Sequence, residues 1–156
     1  MKKSIDIPVK SHFQRINVAG LLINESKQLL LCRRSQNKKF KPGIWHIPGG
    51  KQENGETAEV ALTREFKEEL DLDITSIQPL NVVFEYAGSD GMHCTQFYLV
   101  TARGSISLDF ENDAYAFVDL GNLSDYLDES LAASKEAFEK ALIKLNLFSD
   151  RDRMIK

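Results

Sequence analysis

Residues 48–72 read PGGKQENGETAEVALTREFKEELDL, two adjacent glycines followed by a dense run of acidic side chains with a single arginine among them. Like charges repel when they lie close together, so such a run is costly in a folded protein unless a cation offsets it. The stretch therefore predicts a cation site built on one loop and one helix.

The second half of this stretch predicts a helix from Thr57 to Leu70. Thr57 is a suitable N-cap, and Glu59 places negative charge in the first turn, where the helix dipole favours it. Apolar residues recur every four positions, at Ala58, Leu62, Phe66 and Leu70, which is the spacing of a helix face that packs on a core.

Three glutamates of this helix, Glu65, Glu68 and Glu69, share one arc when successive residues are placed about 100° apart. Glu65 and Glu69 border the apolar stripe rather than the solvent side. Carboxylates at that border are costly unless they are paired or bound to a metal. Arg64 can pair with one of them, but it cannot neutralise all three.

Clustered carboxylate oxygens without His or Cys neighbours favour a hard divalent cation, Mg²⁺ or Mn²⁺. Mg²⁺ commonly completes its coordination with substrate phosphates, so the pattern indicates phosphate chemistry. The preceding loop agrees with this, because Gly49 and Gly50 allow close backbone approach and Lys51 offers a positive charge to a phosphate oxygen.

The rest of the chain alternates between strand and helix patterns. Residues 16–24 and 28–34 are β-rich and predict a hairpin, whereas the Pro- and Gly-rich residues 35–56 predict one long loop. Further strands are expected over 74–87, 94–102 and 114–120, and an amphipathic helix over 131–145, carrying Leu131, Ala132, Phe138, Ala141, Leu142 and Leu145. This order predicts an α/β protein, with helices packed against a mixed sheet.

Composition limits the function classes. The chain has 156 residues, of which 42% are hydrophobic, and a net charge of -3. These values favour one domain over residues 1–156 that binds neither a nucleic-acid polymer nor a membrane. Cys32 and Cys94 lie far apart in the sequence and form neither a metal motif nor a disulfide framework. With no apolar run that could cross a bilayer, a cytoplasmic location is expected.

The stretch resembles the Nudix box, g-x(5)-e-x(7)-r-e-u-x-e-e-x-g-u, in which u is a bulky apolar residue. The matching positions are Gly50, Glu56, Arg64, Glu65, Phe66, Glu68, Glu69 and Leu72. The departure is Asp71, where the family has glycine. That position follows the helix, where a left-handed conformation is common, and Asp tolerates it better than most residues.

The resemblance implies an α/β/α sandwich that hydrolyses a diphosphate bond of a nucleotide with Mg²⁺ or Mn²⁺. By position, Glu65, Glu68 and Glu69 are implied metal ligands, and one of them helps to deprotonate the attacking water. Arg64 is implied to hold that arrangement. Gly50 is counted with the metal site and shapes the loop.

Residues outside the box are candidates from their sequence position alone. Glu111 and Asp113 are candidates for an extra base or metal ligand, and a solvated turn is the alternative. Trp45 either stacks on a nucleobase or packs in the core. Arg34 belongs to a basic approach to the loop that suits a polyphosphate. His46 and His93 have no partner that the sequence identifies.

Substrate choice stays open at this point. PGGK followed by GET resembles MutT-like nucleoside triphosphate pyrophosphohydrolases, which release a nucleoside monophosphate and pyrophosphate. A coenzyme A pyrophosphatase is the second alternative, and an ADP-ribose or nucleotide-sugar pyrophosphatase is the third. A Nudix-like domain that binds a nucleotide without cleaving it is a further alternative. The protein is expected to be a monomer or homodimer, with residues 1–12 as an extra strand or arm and 150–156 as a tail.

Overall fold

Two sheets and two packed helices are found among the residues that the computed structural model describes, which are 12–39, 41–126 and 132–144. The elements in chain order are β1 (Arg15–Leu22), β2 (Gln28–Arg34), β3 (Trp45–His46), β4 (Gly49–Lys51), α1 (Ala58–Leu70), β5 (Asp73–Gly88), β6 (Gly91–Arg103), β7 (Asn112–Asp119) and α2 (Ala132–Lys144), with a 3-10 helix at Leu120–Asp125. The predicted arm over 1–12, apart from His12, and the tail over 150–156 lie outside these residues, as do Leu131 and Leu145.

The larger sheet has the strand order β4-β1-β6-β5, and the smaller one has the order β3-β2-β7. Strand β1 runs parallel to β6 and antiparallel to β4, so the larger sheet is mixed, as predicted. The smaller sheet is antiparallel throughout. Neither helix in the described part of the chain is long and apolar enough to cross a membrane.

The core lies on both faces of the sheets. Along β6, Phe97 packs in a cluster with α2, whereas the next residue, Tyr98, packs in a cluster with α1. Successive side chains of a strand point to opposite faces, so α1 and α2 cover opposite sides. This is the predicted α/β/α arrangement. Strand β2 is buried on both faces, which explains its continuous apolar run.

The predicted hairpin between residues 16–24 and 28–34 is wrong. The chain does reverse at Asn24–Gln28, but the two segments share only the bridge Ile23↔Leu29 and then enter different sheets. Both edges of β1 are already occupied, by β4 on one side and β6 on the other. The local sequence pattern gives no information about these distant partners.

The predicted long loop over 35–56 is also only partly right, because it contains the two short strands β3 and β4. Each forms an edge strand, β3 on the smaller sheet and β4 on the larger. Their backbone pairing depends on β2 and β1, and a Gly- and Pro-rich sequence gives little sign of it. The segment before α1 therefore contributes one edge strand to each of the two sheets.

Helix α1 begins and ends as predicted. Thr57 is its N-cap, and its hydroxyl accepts a hydrogen bond from the backbone N–H of Val60 at 3.2 Å. Asp71 follows the helix in the left-handed conformation, with φ 57° and ψ 34°. The expectation for the position where the family pattern has glycine is confirmed.

A substitution of Asp71 by valine is expected to lower the free energy of unfolding by about 1–2 kcal/mol, because a β-branched residue is strained in the left-handed region. Asp71→Asn is the matched control and should change it little, since Asn also tolerates this conformation. Urea unfolding of the three proteins measures the difference. Equal stability of Asp71→Val and Asp71→Asn would contradict the expectation.

Candidate active site

The three box glutamates occupy unequal environments on α1. Glu69 is 4% exposed, whereas the side chains of Glu65 and Glu68 are 13% and 57% exposed. The sequence-based placement of Glu65 and Glu69 at the edge of the buried stripe is therefore confirmed. Glu68 faces solvent.

Arg64 holds the loop against this helix. Its Nε and Nη2 donate to the two carboxylate oxygens of Glu56 at 2.8 and 2.9 Å, a bidentate pair. Nη1 donates to Glu65 at 3.0 Å and to Glu68 at 3.3 Å, and Nη2 also donates to the carbonyl oxygen of Lys51 at 3.0 Å. One guanidinium thus connects β4, the loop after it and two of the box glutamates.

Gly50 is where the loop comes closest to the helix. A Cβ built at this position would lie 2.5 Å from the Glu65 carboxyl group, so only glycine fits without moving that group. Gly50 pairs with Val18 of β1, and this register aims the position at α1. The backbone of Gly50 and the carboxylate of Glu65 are consequently in direct contact.

Glu65 and Glu69 lie close enough to share a hydrogen bond. Burial raises the pKa of Glu69 to about 10, and the hydrogen bond with Glu65 and the nearby charges of Glu65, Glu111 and Asp109 add to this. Burial also raises the pKa of Glu65, while hydrogen bonds from Glu69 and Arg64 oppose that shift. Two neighbouring carboxylates in a poorly solvated place cannot both ionise cheaply without a cation.

Asn112 lies against Glu69, and His46 lies against Asn112. Asn112 Nδ2 lies 3.5 Å from Glu69 Oε2, and Asn112 Oδ1 lies 2.7 Å from His46 Nε2. Asn112 is 4% exposed. The sequence identified no partner for His46, but the structure gives it two, since its Nδ1 also lies 3.1 Å from the carbonyl oxygen of Ile47.

The two acidic candidates beyond the box behave differently. The charge of Glu111 acts on Glu69, so the structure places Glu111 near the glutamates of α1. Asp113 instead pairs with Arg33 at 2.7 Å, and the hydrogen bond from Arg33 lowers its pKa. Asp109, which the sequence did not single out, also raises the pKa of Glu69.

Three of the candidate substrate contacts have structural roles in the loop. Trp45 lies edge-on to Tyr126, with ring centroids 5.3 Å apart, and packs in the cluster that includes α2. A Cβ at Gly49 would lie 1.9 Å from the carbonyl oxygen of Val18. The backbone of Arg34 closes the loop by hydrogen bonds to Ile44 and Gly43.

Lys51 remains exposed at the edge of the larger sheet, where it pairs with Asn17 of β1. Its carbonyl oxygen binds Arg64, so its backbone is fixed while its side chain is exposed. Of the candidate substrate contacts, Lys51 alone combines exposure with direct attachment to the arginine of the box.

Asn112, His46 and Asp109 are the residues that sequence reasoning missed. They belong to the site because β3, β7 and the loop before β7 lie next to α1 in the fold. These segments are distant from α1 or from one another in the sequence. The available signal was the position of His46 between Trp45 and the two glycines. It gave no indication of a partner.

Comparison with known proteins decides the family. The family model of the NUDIX domain matches residues 13–142, which is most of the chain and includes the whole box. The chain belongs to the Nudix family. Hydrolases of this family generally use a divalent metal and act on small-molecule nucleotides.

Solved structures of similar shape support this Nudix fold. The MutT protein of Methanosarcina mazei Go1 has a TM-score of 0.74 and 22% identity, over 88% of this chain and 99% of that one. A MutT Nudix hydrolase of Burkholderia pseudomallei has a TM-score of 0.65 and 21% identity, over 86% and 98% of the two chains.

Curated relatives of this Nudix protein include the isopentenyl-diphosphate Delta-isomerases of Salmonella heidelberg and Salmonella agona. They are 41% identical over 70 residues, which are 44% of this chain and 39% of each isomerase. The match spans well under half the length of these relatives.

The donor set of this Nudix site fits a hard divalent cation. All the candidate side-chain donors are carboxylate oxygens, and the backbone of Gly50 lies against Glu65 with no side chain between them. Within the described residues, however, no three His, Cys, Asp or Glu side chains are arranged as a ready metal cluster. Glu68 lies at the exposed end of this group, where Arg64 Nη1 donates both to it and to Glu65.

Without metal, the stability of the protein is expected to fall as pH rises above the ordinary Glu value of 4.5 towards about 10, because folded Glu69 retains a proton that the unfolded chain releases. Glu69→Gln has no proton to release. In EDTA, the difference in free energy of unfolding between Glu69→Gln and the wild type should therefore grow in favour of the variant as pH rises. The slope is at most about 1.4 kcal/mol per pH unit.

Urea unfolding at pH 6 and pH 9 measures this difference. Glu136→Gln, which changes an exposed glutamate of α2 paired with Lys140, is the control and should follow the wild type at both pH values. A wild-type stability that rises between these two pH values relative to Glu69→Gln would contradict the assignment.

Proposed function

We propose that this Nudix protein is a hydrolase, namely a Mg²⁺- or Mn²⁺-dependent nucleoside triphosphate pyrophosphohydrolase. Water attacks a phosphorus atom of the triphosphate, the bridging P–O bond breaks, and a nucleoside monophosphate and pyrophosphate leave. The observation that carries the proposal is the carboxylate group on α1, with Glu65 and Glu69 in contact, Glu68 beside them and Gly50 against Glu65.

In this proposal Glu65, Glu68 and Glu69, together with the backbone of Gly50, hold the metal. The bound cation supplies neutralisation of phosphate charge and acidification of a water. Arg64 keeps Glu65 and the loop in register through its bidentate pair with Glu56. These contacts exist before substrate binds, so Glu65 and the loop are already fixed relative to each other.

Glu68 is the best candidate to accept a proton from water, since it is the most solvent-accessible of the three box glutamates. Glu111 is a second candidate base or ligand because its charge reaches Glu69. Lys51 offers an exposed ammonium group on the edge strand next to the box and is the proposed contact for a phosphate oxygen.

The isomerase relatives support a second candidate, which shares the diphosphate but not the reaction. Moving a carbon–carbon double bond requires an acid and a base beside the substrate carbons. Both thiols of the chain are poor candidates for either role, because Cys32 and Cys94 are buried and burial raises the pKa of each, to about 12 and about 11. Hydrolysis is placed first because the isomerase match spans only 44% of this chain and 39% of each isomerase.

A substrate panel with Mg²⁺ tests the proposal. Damaged and normal nucleoside triphosphates, ADP-ribose, dinucleoside polyphosphates and coenzyme A are assayed for released pyrophosphate and phosphate, and isopentenyl diphosphate is followed by NMR for a shifted double bond. Pyrophosphate release from a triphosphate is the expected result. Preferred cleavage of coenzyme A or ADP-ribose would replace the substrate assignment. Nucleotide binding without any product would indicate a sensing domain.

A further inference from the structure

The half-buried His46 and the buried Asn112 form a chain of polar contacts that ends on Glu69. The chain runs from the carbonyl oxygen of Ile47 to His46 Nδ1, from His46 Nε2 to Asn112 Oδ1, and from Asn112 Nδ2 to Glu69 Oε2. Its three side chains come from β3, β7 and α1, which are separate in sequence. These contacts join the smaller sheet to the carboxylate helix at the candidate metal site.

Strand register explains how this chain arises. His46 pairs with Cys32, whose side chain is buried in the cluster that includes α1, so His46 points to the same side. Asn112 pairs with Arg34 next to a register shift between Arg33 and Arg34. A β-bulge of this kind re-aims a side chain, and such bulges are common beside active sites.

The chemistry of the amide gives the chain a direction. Asn112 has one end that accepts hydrogen bonds and one that donates, so whichever group binds His46 determines the group that faces Glu69. The carbonyl oxygen of Ile47 and Asn112 Oδ1 can only accept hydrogen bonds, so in this arrangement both ring nitrogens of His46 carry hydrogens and donate. The amide nitrogen of Asn112 is then left to donate to Glu69. A donor at that place favours the ionised carboxylate, which is the form that binds a cation.

The 3.5 Å separation between Asn112 Nδ2 and Glu69 Oε2 is long for a hydrogen bond. Hydrogen bonds at catalytic groups are often long in ligand-free structures and tighten in the complex. By contrast, the 2.7 Å contact between His46 and Asn112 is already short, so His46 fixes the amide beside Glu69.

We propose that His46 and Asn112 are positioning residues that present an N–H donor to Glu69 and so hold its carboxylate in the orientation that binds the divalent metal. The inference rests on the proposed function, because it takes Glu69 as a metal ligand. It adds two residues outside the box to the machinery of the site. Outer partners of this kind typically contribute about 10- to 100-fold to metal affinity or activity.

Three variants test the role, with Mn²⁺ affinity measured by EPR as the main readout. His46→Phe keeps the ring shape but removes the donor, whereas His46→Gln loses the ring but keeps an N–H near the position of Nε2. Asn112→Leu removes the amide at similar size. His93→Gln is the matched control, since His93 contacts Asp90 at 2.5 Å, away from this chain.

His46→Phe and Asn112→Leu are expected to weaken Mn²⁺ binding by about 10- to 100-fold. His46→Gln and His93→Gln should stay within about threefold of the wild type, and kcat/KM should follow the same order. A packing role predicts the opposite ranking of the two His46 variants, because phenylalanine fills the space of the ring better than glutamine.

Wild-type Mn²⁺ affinity in His46→Phe, or a larger loss in His46→Gln than in His46→Phe, overturns the positioning role. The proposed function fails separately, if the wild type binds Mn²⁺ but cleaves no member of the substrate panel. In that case the comparison of Mn²⁺ affinities still decides the role of His46. Absence of Mn²⁺ binding by the wild type overturns both. If Asn112→Leu does not fold, the two His46 variants carry the test.

Discussion

The Glu68→Gln variant is expected to fold like the wild type and to lose about 100- to 10,000-fold in kcat, the range for removal of a general base. Its carboxylate is 57% exposed and its contact with Arg64 is 3.3 Å long, so the fold depends little on it. Glutamine keeps the size of the side chain but cannot accept the proton of an attacking water. Steady-state kinetics at saturating Mg²⁺ and a thermal melt measure the two effects.

Glu136→Gln is the matched control for this loss. Glu136 is also an exposed helical glutamate with a cation four residues away, Lys140, at 3.7 Å. Its replacement should leave kcat within about twofold of the wild type, since surface substitutions away from special features are close to neutral. A Glu68→Gln enzyme with full turnover would remove Glu68 from the site and leave Glu111 as the candidate base.

The Arg64→Met variant is expected to be the most destabilised single substitution in the box. It leaves Glu56 and Glu65 without their shared cation, although their side chains are only 15% and 13% exposed. Removing one partner of a buried ion pair costs about 3–5 kcal/mol, and the partial exposure of Arg64 favours the lower end of that range. Urea unfolding measures the loss, and kcat/KM should fall with it because Glu65 is no longer held.

The same pair predicts a difference in acid. The hydrogen bond from Arg64 lowers the pKa of Glu56 from 4.5 to about 2. A lowered carboxyl pKa gives stability that is fully present above the unfolded value and is lost as pH falls through the folded value. Wild type should therefore lose more stability than Arg64→Met between about pH 4.5 and pH 2.

Arg33→Met is the control for removal of an arginine from an ion pair. The Arg33–Asp113 pair has side-chain exposures of 37% and 32%, so its loss should cost less than about 1 kcal/mol. Equal costs for Arg33→Met and Arg64→Met would mean that Arg64 has no special role in holding the loop.

Local patterns predicted α1 almost completely. Thr57 as N-cap, the apolar spacing of the helix, the burial of Glu65 and Glu69, and the left-handed Asp71 all follow from interactions within one turn or two of the chain. Helical spacing also predicted that Arg64 pairs with a glutamate of the helix, and Arg64 does contact Glu65 and Glu68. Its preferred partner, Glu56, lies in the loop before the helix.

Long-range pairing was beyond the reach of the sequence pattern. The hairpin between β1 and β2 was predicted wrongly because β6, far along the chain, occupies the edge of β1 that β2 would need. Strands β3 and β4 lie in the predicted loop, because their pairing depends on β2 and β1, which lie outside that segment. Strand partners are chosen by the whole fold, whereas periodicity reports only how one segment is buried.

The amino-acid sequence alone determined that this protein carries a carboxylate helix with a glycine loop before it, because those features depend on residue type and spacing within one short stretch. Only the tertiary structure decided which groups surround Glu69. Asn112 contacts Glu69 from β7, His46 contacts Asn112 from β3, and the charge of Asp109 acts on Glu69. Asp113 pairs with Arg33 instead. The physical reason is that the charge state of a buried carboxylate depends on burial and on neighbours in space.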